Sequence, residues 1–581
     1  MNLTEAGNSS HHKHKVDTPS LGKLSSHGEP AQSQVLFLIQ QQLHIIQTAD
    51  MSVRSAFAGL LVALLCLVGS AQGGKLLVIP GDGSPWRVMK PLVEELGRRG
   101  HQVVVVIPEA SLSMGPSDHT TTLTFPVPYT KESMTKDQDK DLDILMEIDV
   151  SSTPAKIINH WMGMVMLSNL TMRGCESMLY NKELMQTLRD HNFDALLTDP
   201  FWPVGIIAGA HLNLPTVYLH GFLPCPLDII STRCPSPASY MPLRNTFFTH
   251  HMSFWERAIN LLWSFWLTPA GCSRFYLYAD EVASDFLQRK TSIVELASNA
   301  ALWLMRADFT FEFPGPLMPN MIMVGGIQAG KSKPLPQEVE EFVSGSGEAG
   351  FVIFTLGSMV SQMPEKKAHE FFEAFRQIPQ RVVWRYTGPV PENAPKNVKL
   401  MKWLPQNDLL GHPKVRAFIT HGGSHGIYEG ICHGVPMVML PLFGDQPDNA
   451  QRMVSRGVAE ALSITDVTSE KLLTALNKVI NDKSYKEKME KLSAVHNDRP
   501  IEPLDLAVFW TEFVMRHKGA EHLRPAAHEL NWVQYHSLDV MAFLLAIALT
   551  FLLATLKCCA FCFKKCTRKT EDKKNTKQKK Q

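Results

Sequence analysis

The fold is decided by residues 403–446, WLPQNDLLGHPKVRAFITHGGSHGIYEGICHGVPMVMLPLFGDQ. Within this stretch the apolar runs Val415–Ile419 and Val435–Leu442 are short enough to be buried strands of a parallel sheet. Between them, the small-residue turn Thr420–Ser424 opens a helix. Glycines let a ligand approach the backbone closely, and the N–H groups at a helix start attract phosphate. The stretch therefore predicts a strand, a phosphate-binding loop, a helix and a second strand.

Polar side chains around this turn are suited to the successive parts of a nucleotide sugar. Upstream, Trp403 offers a flat stacking face and Gln406 an amide that can pair with a base edge. Glu429, further along the helix, is placed to accept hydrogen bonds from ribose hydroxyls. Asp445 and Gln446 follow the second strand and suit sugar hydroxyls. A glycine turn alone would favour an ordinary strand-to-helix loop, whereas this ordered set favours a nucleotide-sugar site.

The ordered set resembles the donor-binding signature of UDP-glycosyltransferases and is most similar to that of the vertebrate UDP-glucuronosyltransferases. The resemblance runs from about Lys75 to the C-terminus, and residues 498–540, DRPIEPLDLAVFWTEFVMRHKGAEHLRPAAHELNWVQYHSLDV, resemble the tail of the type 1 group. It implies an α/β protein of the GT-B class, with two Rossmann-like domains, an interdomain cleft and one C-terminal transmembrane helix. The residues that the resemblance assigns to UDP-sugar binding are Arg306, Gly357, Ser358, Trp403, Gln406, His421, Gly422, Gly423, Ser424, Glu429, Asp445 and Gln446.

Alternating strands and helices recur along the chain. Leu76–Ile79 and Val103–Ile107 read as buried strands on either side of an amphipathic helix, Trp86–Arg99. This alternation implies a parallel sheet covered by helices on both faces. After a linker at residues 330–336, a second series begins with Phe351–Leu356 and the Gly357-Ser358 turn. Two domains are therefore expected, with the acceptor bound by the first and the donor by the second.

Length and composition agree with two domains and several attachments. The chain has 581 residues, 45% of them hydrophobic, and a net charge of +1, which gives no reason to propose a nucleic-acid partner. We expect these segments: 1–50, a doubtful N-terminal extension; 51–73, a signal peptide; 74–333, the acceptor-binding domain; 334–500, the UDP-sugar-binding domain; 501–536, a segment returning to the first domain; 537–557, a transmembrane helix; and 558–581, a basic cytosolic tail.

The N-terminal region has the layout of a secretory signal that begins late. Arg54 precedes a leucine- and alanine-rich run from Ala56 to Val68, and small residues follow. Because such signals normally begin a chain, we suspect that Met51 is the working start and that residues 1–50 extend the reading frame upstream.

The expected acceptor side departs from the family pattern at one position. Pro85 and Trp86 lie in a loop at the strand edge where open α/β sheets bind ligands. In most glucuronosyltransferases the residue before this tryptophan is a histidine, the general base that deprotonates an acceptor hydroxyl. Asp199 matches the family's second catalytic residue, which orients that histidine, although spacing alone would favour an aspartate in a turn.

The loss of the histidine should matter most for weakly acidic alcohols. General base catalysis is worth about 10²–10⁴-fold. A neutral amine already carries a free lone pair, and an acidic phenol can ionise by itself. We therefore expect a bias toward amines or acidic phenols; substitution by His119 or another histidine is left open.

The C-terminal region is typical of a membrane anchor. Val540–Leu556 is apolar and lies at the lower end of the ~17–25 residues that a spanning helix needs. The lysine-rich tail that follows predicts a type I topology, with the tail in the cytosol and the domains in the lumen of the endoplasmic reticulum. Asn169 is then a usable glycosylation sequon. The aromatic run Phe254–Leu267 is suited either to the membrane surface or to the core.

The sequence thus predicts an inverting transferase that moves glucuronic acid from UDP-glucuronate to small lipophilic acceptors, with no cofactor and no metal. His421 and His425 have the spacing of a helical metal pair, but they lie in a glycine turn without a third ligand nearby. Two alternatives stay open: another UDP-sugar as the donor, or a donor-binding regulatory partner of active relatives with little activity of its own. Homo-oligomers and hetero-oligomers with related transferases are both compatible with the sequence.

Overall fold

The computed structural model describes residues 73–134 and 172–578, apart from residues 173, 222, 224, 245 and 359. The expected extension 1–50, nearly all of the signal segment and the Asn169 sequon lie outside the described residues.

The first domain is built on a seven-stranded sheet of strand order β3-β2-β1-β4-β5-β6-β7. Every pairing in it is parallel, as the βα pattern predicts. Its strands are β1 Lys75–Ile79, β2 Gln102–Pro108, β3 Thr121–Phe125, β4 Ala195–Thr198, β5 Thr216–His220, β6 Leu302–Met305 and β7 Met321–Met323.

Helices cover this sheet and connect its strands. The predicted helix after β1 is confirmed and begins two residues earlier than expected, because Pro85 fits the first turn, where no backbone N–H is needed. The helices of the first domain are α1 Ser84–Arg98, α2 Lys182–Asp190, α3 Pro203–Leu212, α4 Leu227–Thr232, α5 Phe254–Leu262, α6 Thr268–Phe286 and α7 Ile293–Ala297, with a π-helical turn at Trp263–Leu267 between α5 and α6.

The second domain has a six-stranded parallel sheet of order β10-β9-β8-β11-β12-β13. Its strands are β8 Phe351–Thr355, β9 Arg381–Arg385, β10 Val398–Met401, β11 Val415–Thr420, β12 Met437–Met439 and β13 Ala459–Ala461. Its helices are α8 Gln337–Ser344, α9 Glu365–Arg376, α10 Gln406–Leu410, α11 Ser424–Cys432, α12 Gln446–Ser455, α13 Ser469–Asn481 and α14 Lys483–Asn497.

One strand of the second sheet is shorter than predicted. We expected Val435–Leu442, whereas β12 covers Met437–Met439. Beyond Leu440 the backbone leaves the sheet, because the amides of Leu442 and Phe443 donate to the side-chain oxygen of Gln446, at 2.7 and 3.1 Å. The apolar run therefore predicted the strand correctly but not the turn that ends it.

The chain after residue 500 lies against the first domain. Helix α15, Pro503–His517, buries Ala507 and Val514 in the core beneath α1. At the surface, the Arg99 guanidinium pairs with Asp505 at 2.9 Å. The short elements Glu521–Leu523, Ala526–Glu529 and α16, Trp532–Tyr535, follow.

The last helix, α17, spans Leu538–Gln578. Its part Leu538–Thr570, 33 residues long, contains a stretch with a mean hydropathy of 2.3 and is long and apolar enough to cross a membrane. None of the most apolar part is buried inside the protein, which distinguishes it from a core helix. The helix thus contains the predicted span 537–557 except for its first residue, and it continues into the basic tail.

Candidate active site

The carboxyl ends of four neighbouring strands bring polar side chains of the first domain together. Helix α1 follows β1, Asp199 follows β4, His220 ends β5 and Arg306 follows β6. The prediction that Pro85 and Trp86 lie in the loop is wrong, because both belong to the first turn of α1. Ligands of open α/β sheets bind at this edge. The structure therefore places the predicted residues Pro85, Asp199 and Arg306 at one edge, together with a histidine that the sequence analysis did not single out.

Asp199 is an enclosed carboxylate, 3% exposed. Its Oδ1 accepts a hydrogen bond from the backbone N–H of Phe201 at 2.9 Å. Burial raises the pKa of Asp199 to about 7 and outweighs the Phe201 N–H and the positive charge of Arg306, both of which lower it. At neutral pH this carboxyl group is therefore close to half ionised and can exchange a proton.

The loop before Trp86 contains a carboxylate, but its oxygens are already bound. Asp82 accepts hydrogen bonds from the backbone N–H groups of Gly83 and Leu112, each at 2.7 Å, and from that of Ser113 at 3.0 Å. Trp86 itself is buried under the sheet edge, at 3% exposure. The loop between β1 and Pro85 is thus fixed by these hydrogen bonds, and its carboxylate is engaged by the backbone.

His119, which the sequence left open as a substitute base, lies too far from Pro85. A Cβ added to Gly97 would lie 2.3 Å from the carbonyl oxygen of His119, so this histidine contacts the C-terminal end of α1. Pro85 is in the first turn of the same helix, and twelve residues at a 1.5 Å rise separate the two ends by about 18 Å. His119 therefore does not take the place of a histidine at position 85.

Arg306 joins the two domains. Its Nη2 donates to the Oγ of Ser424, the first residue of α11, at 2.9 Å. The side chain is 8% exposed, and both Asp199 and Asp445 interact with its charge. Its Nε is buried and has no hydrogen-bond partner among the described residues. Arg306 therefore lies where the acceptor-side carboxylate and the phosphate-type loop of the second domain meet.

His421 is packed between two glycines of the second domain. A Cβ on Gly357 or on Gly423 would approach the His421 Nε2 to 2.6 Å, so neither position accepts a larger residue while the ring stays in place. Gly357 also has φ +87°, a conformation that favours glycine. Burial lowers the pKa of His421 to about 4, so the ring is neutral at pH 7 and offers one N–H donor. Its Nδ1 is enclosed and unpartnered within the described chain.

The N-terminus of α11 lies directly after this histidine. Gly422 has φ +85°, and its carbonyl accepts a hydrogen bond from Asn449 Nδ2 at 3.0 Å. Gly423 is the N-cap residue and makes no side-chain cap, so the first N–H groups of α11 remain available to an anion.

The residues predicted to bind the base and the ribose form a connected group. Gln406 Nε2 donates to Glu429, which is 4% exposed and whose other oxygen lies 3.3 Å from His425 Nε2. Trp403 is 53% exposed and has guanidinium groups over its ring: that of Arg87 at 4.5 Å and that of Arg385 at 5.3 Å from the centroid.

Arg385 couples this ring to the Gly357-Ser358 turn. Its Nη1 donates to the carbonyl of Gly357 at 2.6 Å and its Nη2 to that of Ser358 at 3.2 Å. The guanidinium is thereby fixed, so Trp403 is supported from the second domain itself.

The predicted sugar-binding residues have structural partners as well. Asp445 accepts a hydrogen bond from Asn449 Nδ2 at 2.7 Å, and burial raises its pKa. The side-chain oxygen of Gln446 accepts the two backbone amides that end β12. Asp445 thus keeps a carboxylate oxygen for a ligand, whereas the Gln446 carbonyl is used to shape the loop.

Sequence reasoning missed His220, Trp202, Arg87 and Arg385. Both ring nitrogens of His220 and the Nε1 of Trp202 are buried and unpartnered in the part of the chain that the structure describes. Buried polar atoms normally have partners, so such atoms at a cleft indicate a ligand site. The available signal for His220 was its position at the end of an apolar strand, TVYLH, beside the strand that leads to Asp199.

These features define a nucleotide-sugar-dependent glycosyltransferase with two Rossmann-like domains. Residues 74–574 match the family described as UDP-glucoronosyl and UDP-glucosyl transferase, and the chain belongs to this family. It is 50% identical over 513 residues to rat UDP-glucuronosyltransferase 1A5, covering 88% of this chain and 95% of that protein. To human UDP-glucuronosyltransferase 1A1 it is 49% identical over 511 residues, covering 87% and 95%.

Solved structures of glycosyltransferases have the same fold. Os79 from O. sativa, in complex with UDP, aligns with a TM-score of 0.51 at 15% identity, covering 76% of this chain and 100% of that one. A UDP-glucosyltransferase from Polygonum tinctorium aligns with a TM-score of 0.51 at 16% identity, covering 76% and 99%. The GT-B class predicted from the sequence is thus confirmed, and the protein is a glycosyltransferase.

Proposed function

We propose that the protein transfers glucuronic acid from UDP-glucuronate to small lipophilic acceptors, with inversion, and that it favours amines and acidic phenols. The observation that carries this proposal is the approach of the phosphate-type loop at Ser424 to Arg306 and Asp199 across the cleft. The names of the relatives, at about half identity over nearly their whole length, support glucuronate as the donor sugar. Pro85 in the expected base position supports the acceptor preference.

The chemistry is a single displacement at the anomeric carbon. The acceptor attacks, and UDP leaves with its charge on the diphosphate. The N-terminus of α11, the neutral N–H of His421 and the Arg306 guanidinium stabilise this charge as it develops. Protein groups alone carry the stabilisation, so we propose no resident cofactor or metal.

The proposed location is the membrane of the endoplasmic reticulum, with both domains in the lumen. The apolar span Leu538–Thr570 and the lysines after it support a type I topology. The exposed side chains of α5 support contact of the first domain with the bilayer surface, since Phe254 is 65% and Trp255 is 74% exposed. Lipophilic acceptors would then reach the cleft from the membrane.

The test uses permeabilised microsomes from cells that express the chain from Met51. UDP-glucuronate or UDP-glucose is supplied with a panel of amines, phenols and aliphatic alcohols, and conjugates are measured by mass spectrometry. Asp199→Ala and His421→Ala remove the proposed site residues. Two surface changes, Asp190→Ala and His369→Ala, control for expression and folding, because both residues are exposed.

Amine and phenol glucuronides that depend on His421, with the phenol glucuronides depending on Asp199 as well, would support the proposal if neither kind depends on Asp190 or His369. Glucosides in place of glucuronides would show that the donor is UDP-glucose. Tight UDP binding without transfer to any acceptor would favour the regulatory partner instead.

A further inference from the structure

We propose that Asp199 takes the proton from the attacking acceptor itself, in contact with it or across one water, with no histidine between them. This inference rests on the proposed function, because it concerns the proton that O–H acceptors release during transfer. It assigns to Asp199 a direct role, whereas the resemblance implies only the orientation of a histidine that this chain lacks.

The position of Asp199 fits this role. Thr198, the last residue of β4, pairs with Ile79 at the end of β1, and its Oγ1 donates to the Ile79 carbonyl at 2.7 Å. Asp199 therefore lies beside the end of β1, from which the chain leads to Pro85. The proline ring closes onto its own backbone nitrogen, so it does not extend across the cleft as an imidazole would. Pro85 therefore provides no ring nitrogen that could stand between Asp199 and an acceptor.

The carboxylate has acceptor capacity left. An ionised carboxylate offers about four lone-pair sites. The Phe201 N–H is the one hydrogen bond that the Asp199 side chain accepts from the described residues, and it uses Oδ1. Arg306 interacts with the carboxylate through its charge, while its Nη2 donates to Ser424. Arg306 therefore favours the ionised form without closing the carboxylate off.

The other ionisable groups at this edge are unsuitable as the base. Asp82 is bound by three backbone N–H groups. His220, at the end of β5, has its pKa lowered to about 4 by burial, so it is a weak base that stays neutral at pH 7. An effective general base has a pKa near the working pH, and burial brings the pKa of Asp199 to about 7. Asp445 lies on the second domain, on the donor side, where its remaining carboxylate oxygen suits the sugar rather than the acceptor.

The proton balance distinguishes two kinds of acceptor. With a phenol or an alcohol, the oxygen–C1 bond forms, the bond from C1 to the diphosphate oxygen breaks, and the hydroxyl proton passes to Asp199. UDP departs as the anion, and the protonated carboxyl later releases its proton to water. A tertiary amine forms the nitrogen–C1 bond and becomes a quaternary ammonium product with no proton to lose. Only the first kind of acceptor needs the carboxylate as a base.

The experiment compares an unactivated phenol with a weakly basic tertiary aromatic amine, both uncharged across the assay range of pH 5.5 to 8.5. Full-length wild type, Asp199→Asn and the surface control Asp190→Asn are assayed in permeabilised microsomes with UDP-glucuronate. The value of kcat/KM for each acceptor is measured against pH, and UDP affinity is measured separately. The asparagine keeps the size of the side chain and removes the base.

We expect Asp199→Asn to lower kcat/KM for the phenol by about 10²–10⁴-fold and to remove the rise of this kcat/KM with pH near pH 7. The loss of kcat/KM for the tertiary amine should be much smaller. Tertiary-amine transfer by the variant also shows that it is folded. Equal losses for both acceptors, together with weaker UDP binding, would assign Asp199 to holding Arg306 and overturn the inference. The inference would also be overturned if kcat/KM for the phenol still rose with pH near pH 7 in Asp199→Asn. Wild type that transfers to neither acceptor would overturn the proposed function as well.

Discussion

The Arg306 guanidinium, on the first domain, donates a 2.9 Å hydrogen bond to the Ser424 hydroxyl, on the first residue of helix α11 in the second domain. A residue of the acceptor side therefore reaches the loop that is suited to the donor diphosphate. The same guanidinium interacts with Asp199 and Asp445, so one cation connects acceptor chemistry, phosphate binding and sugar binding.

Arg306→Ala is expected to weaken UDP binding. Hydrogen bonds that involve a charged group are worth about 1.5–3 kcal/mol, which corresponds to roughly 10- to 150-fold in affinity. Arg306→Lys should recover only part of this loss, because an ammonium group lacks the planar fork of donors. Calorimetry of UDP binding to the solubilised protein measures the effect. Wild-type UDP affinity in Arg306→Ala would show that the guanidinium is only an interdomain contact.

Trp403→Ala is expected to reduce UDP affinity through the loss of stacking. Stacking of a base on an aromatic ring is worth about 1–3 kcal/mol, so the affinity should fall roughly 5- to 150-fold. Trp403→Phe keeps a ring and should lose less. Trp255→Ala, on the exposed face of α5, is the matched control for the loss of a tryptophan. A similar UDP affinity for all three variants would remove Trp403 from the base site.

Gly357→Ala separates the effect of backbone strain from that of the His421 contact. Gly357 has φ +87°, and a Cβ there would lie 2.6 Å from His421 Nε2. Gly347 has φ +61° and open space around its Cβ position, so Gly347→Ala carries the strain without the contact. Both changes should lower Tm, with a strain cost of about 1–2 kcal/mol each.

Only Gly357→Ala is expected to weaken UDP binding, because it displaces the imidazole at the donor loop. Thermal unfolding with and without UDP gives both quantities for each variant. An equal loss of UDP binding in the Gly347 variant would mean that strain alone accounts for the effect.

The buried carboxyl of Asp199 should make stability depend on pH. Burial raises its pKa to about 7, above the value of 3.8 that is ordinary for an aspartate in an unfolded chain. Between these values the folded state binds more protons than the unfolded state, so this group lowers the free energy of unfolding as the pH rises from about 4 to 7. Asparagine does not titrate, so Asp199→Asn removes this pH dependence. The free energy of unfolding of the variant should therefore increase relative to that of wild type as the pH rises through that range, by up to about 4 kcal/mol.

Chemical denaturation of wild type and Asp199→Asn at pH 5 and pH 8 tests this dependence. The variant should show its larger advantage at pH 8. A constant difference between the two proteins would mean that Asp199 titrates near its ordinary value in the folded state.

Much of the second domain could be predicted from the sequence, because local signals there are strong. The strands predicted at Phe351–Leu356 and Val415–Ile419 are found at Phe351–Thr355 and Val415–Thr420, because short apolar runs mark them clearly. The end of β12 could not be predicted, because the Gln446 side chain ends it from the next helix. Hydrogen bonds of this kind do not appear in a hydrophobic pattern.

In the candidate site, too, the sequence identified residues but not the contacts between distant segments. Resemblance located Asp199 and Arg306, but their enclosure and the interaction of Arg306 with both Asp199 and Asp445 depend on three separate loops. His220 carried no sequence signal beyond its place at a strand end. The exclusion of His119 required the position of its carbonyl against Gly97, at the far end of α1.

The preference for nitrogen over hydroxyl acceptors is tested most directly with one acceptor that has both an aniline nitrogen and an aliphatic hydroxyl. Incubation with UDP-glucuronate gives N- and O-glucuronides, whose ratio is read by mass spectrometry independently of enzyme amount. Because Pro85 provides no histidine base, we predict mainly the N-glucuronide from wild type and a shift toward the O-glucuronide in Pro85→His. Mainly O-glucuronide from wild type, with no shift in Pro85→His, would contradict this prediction.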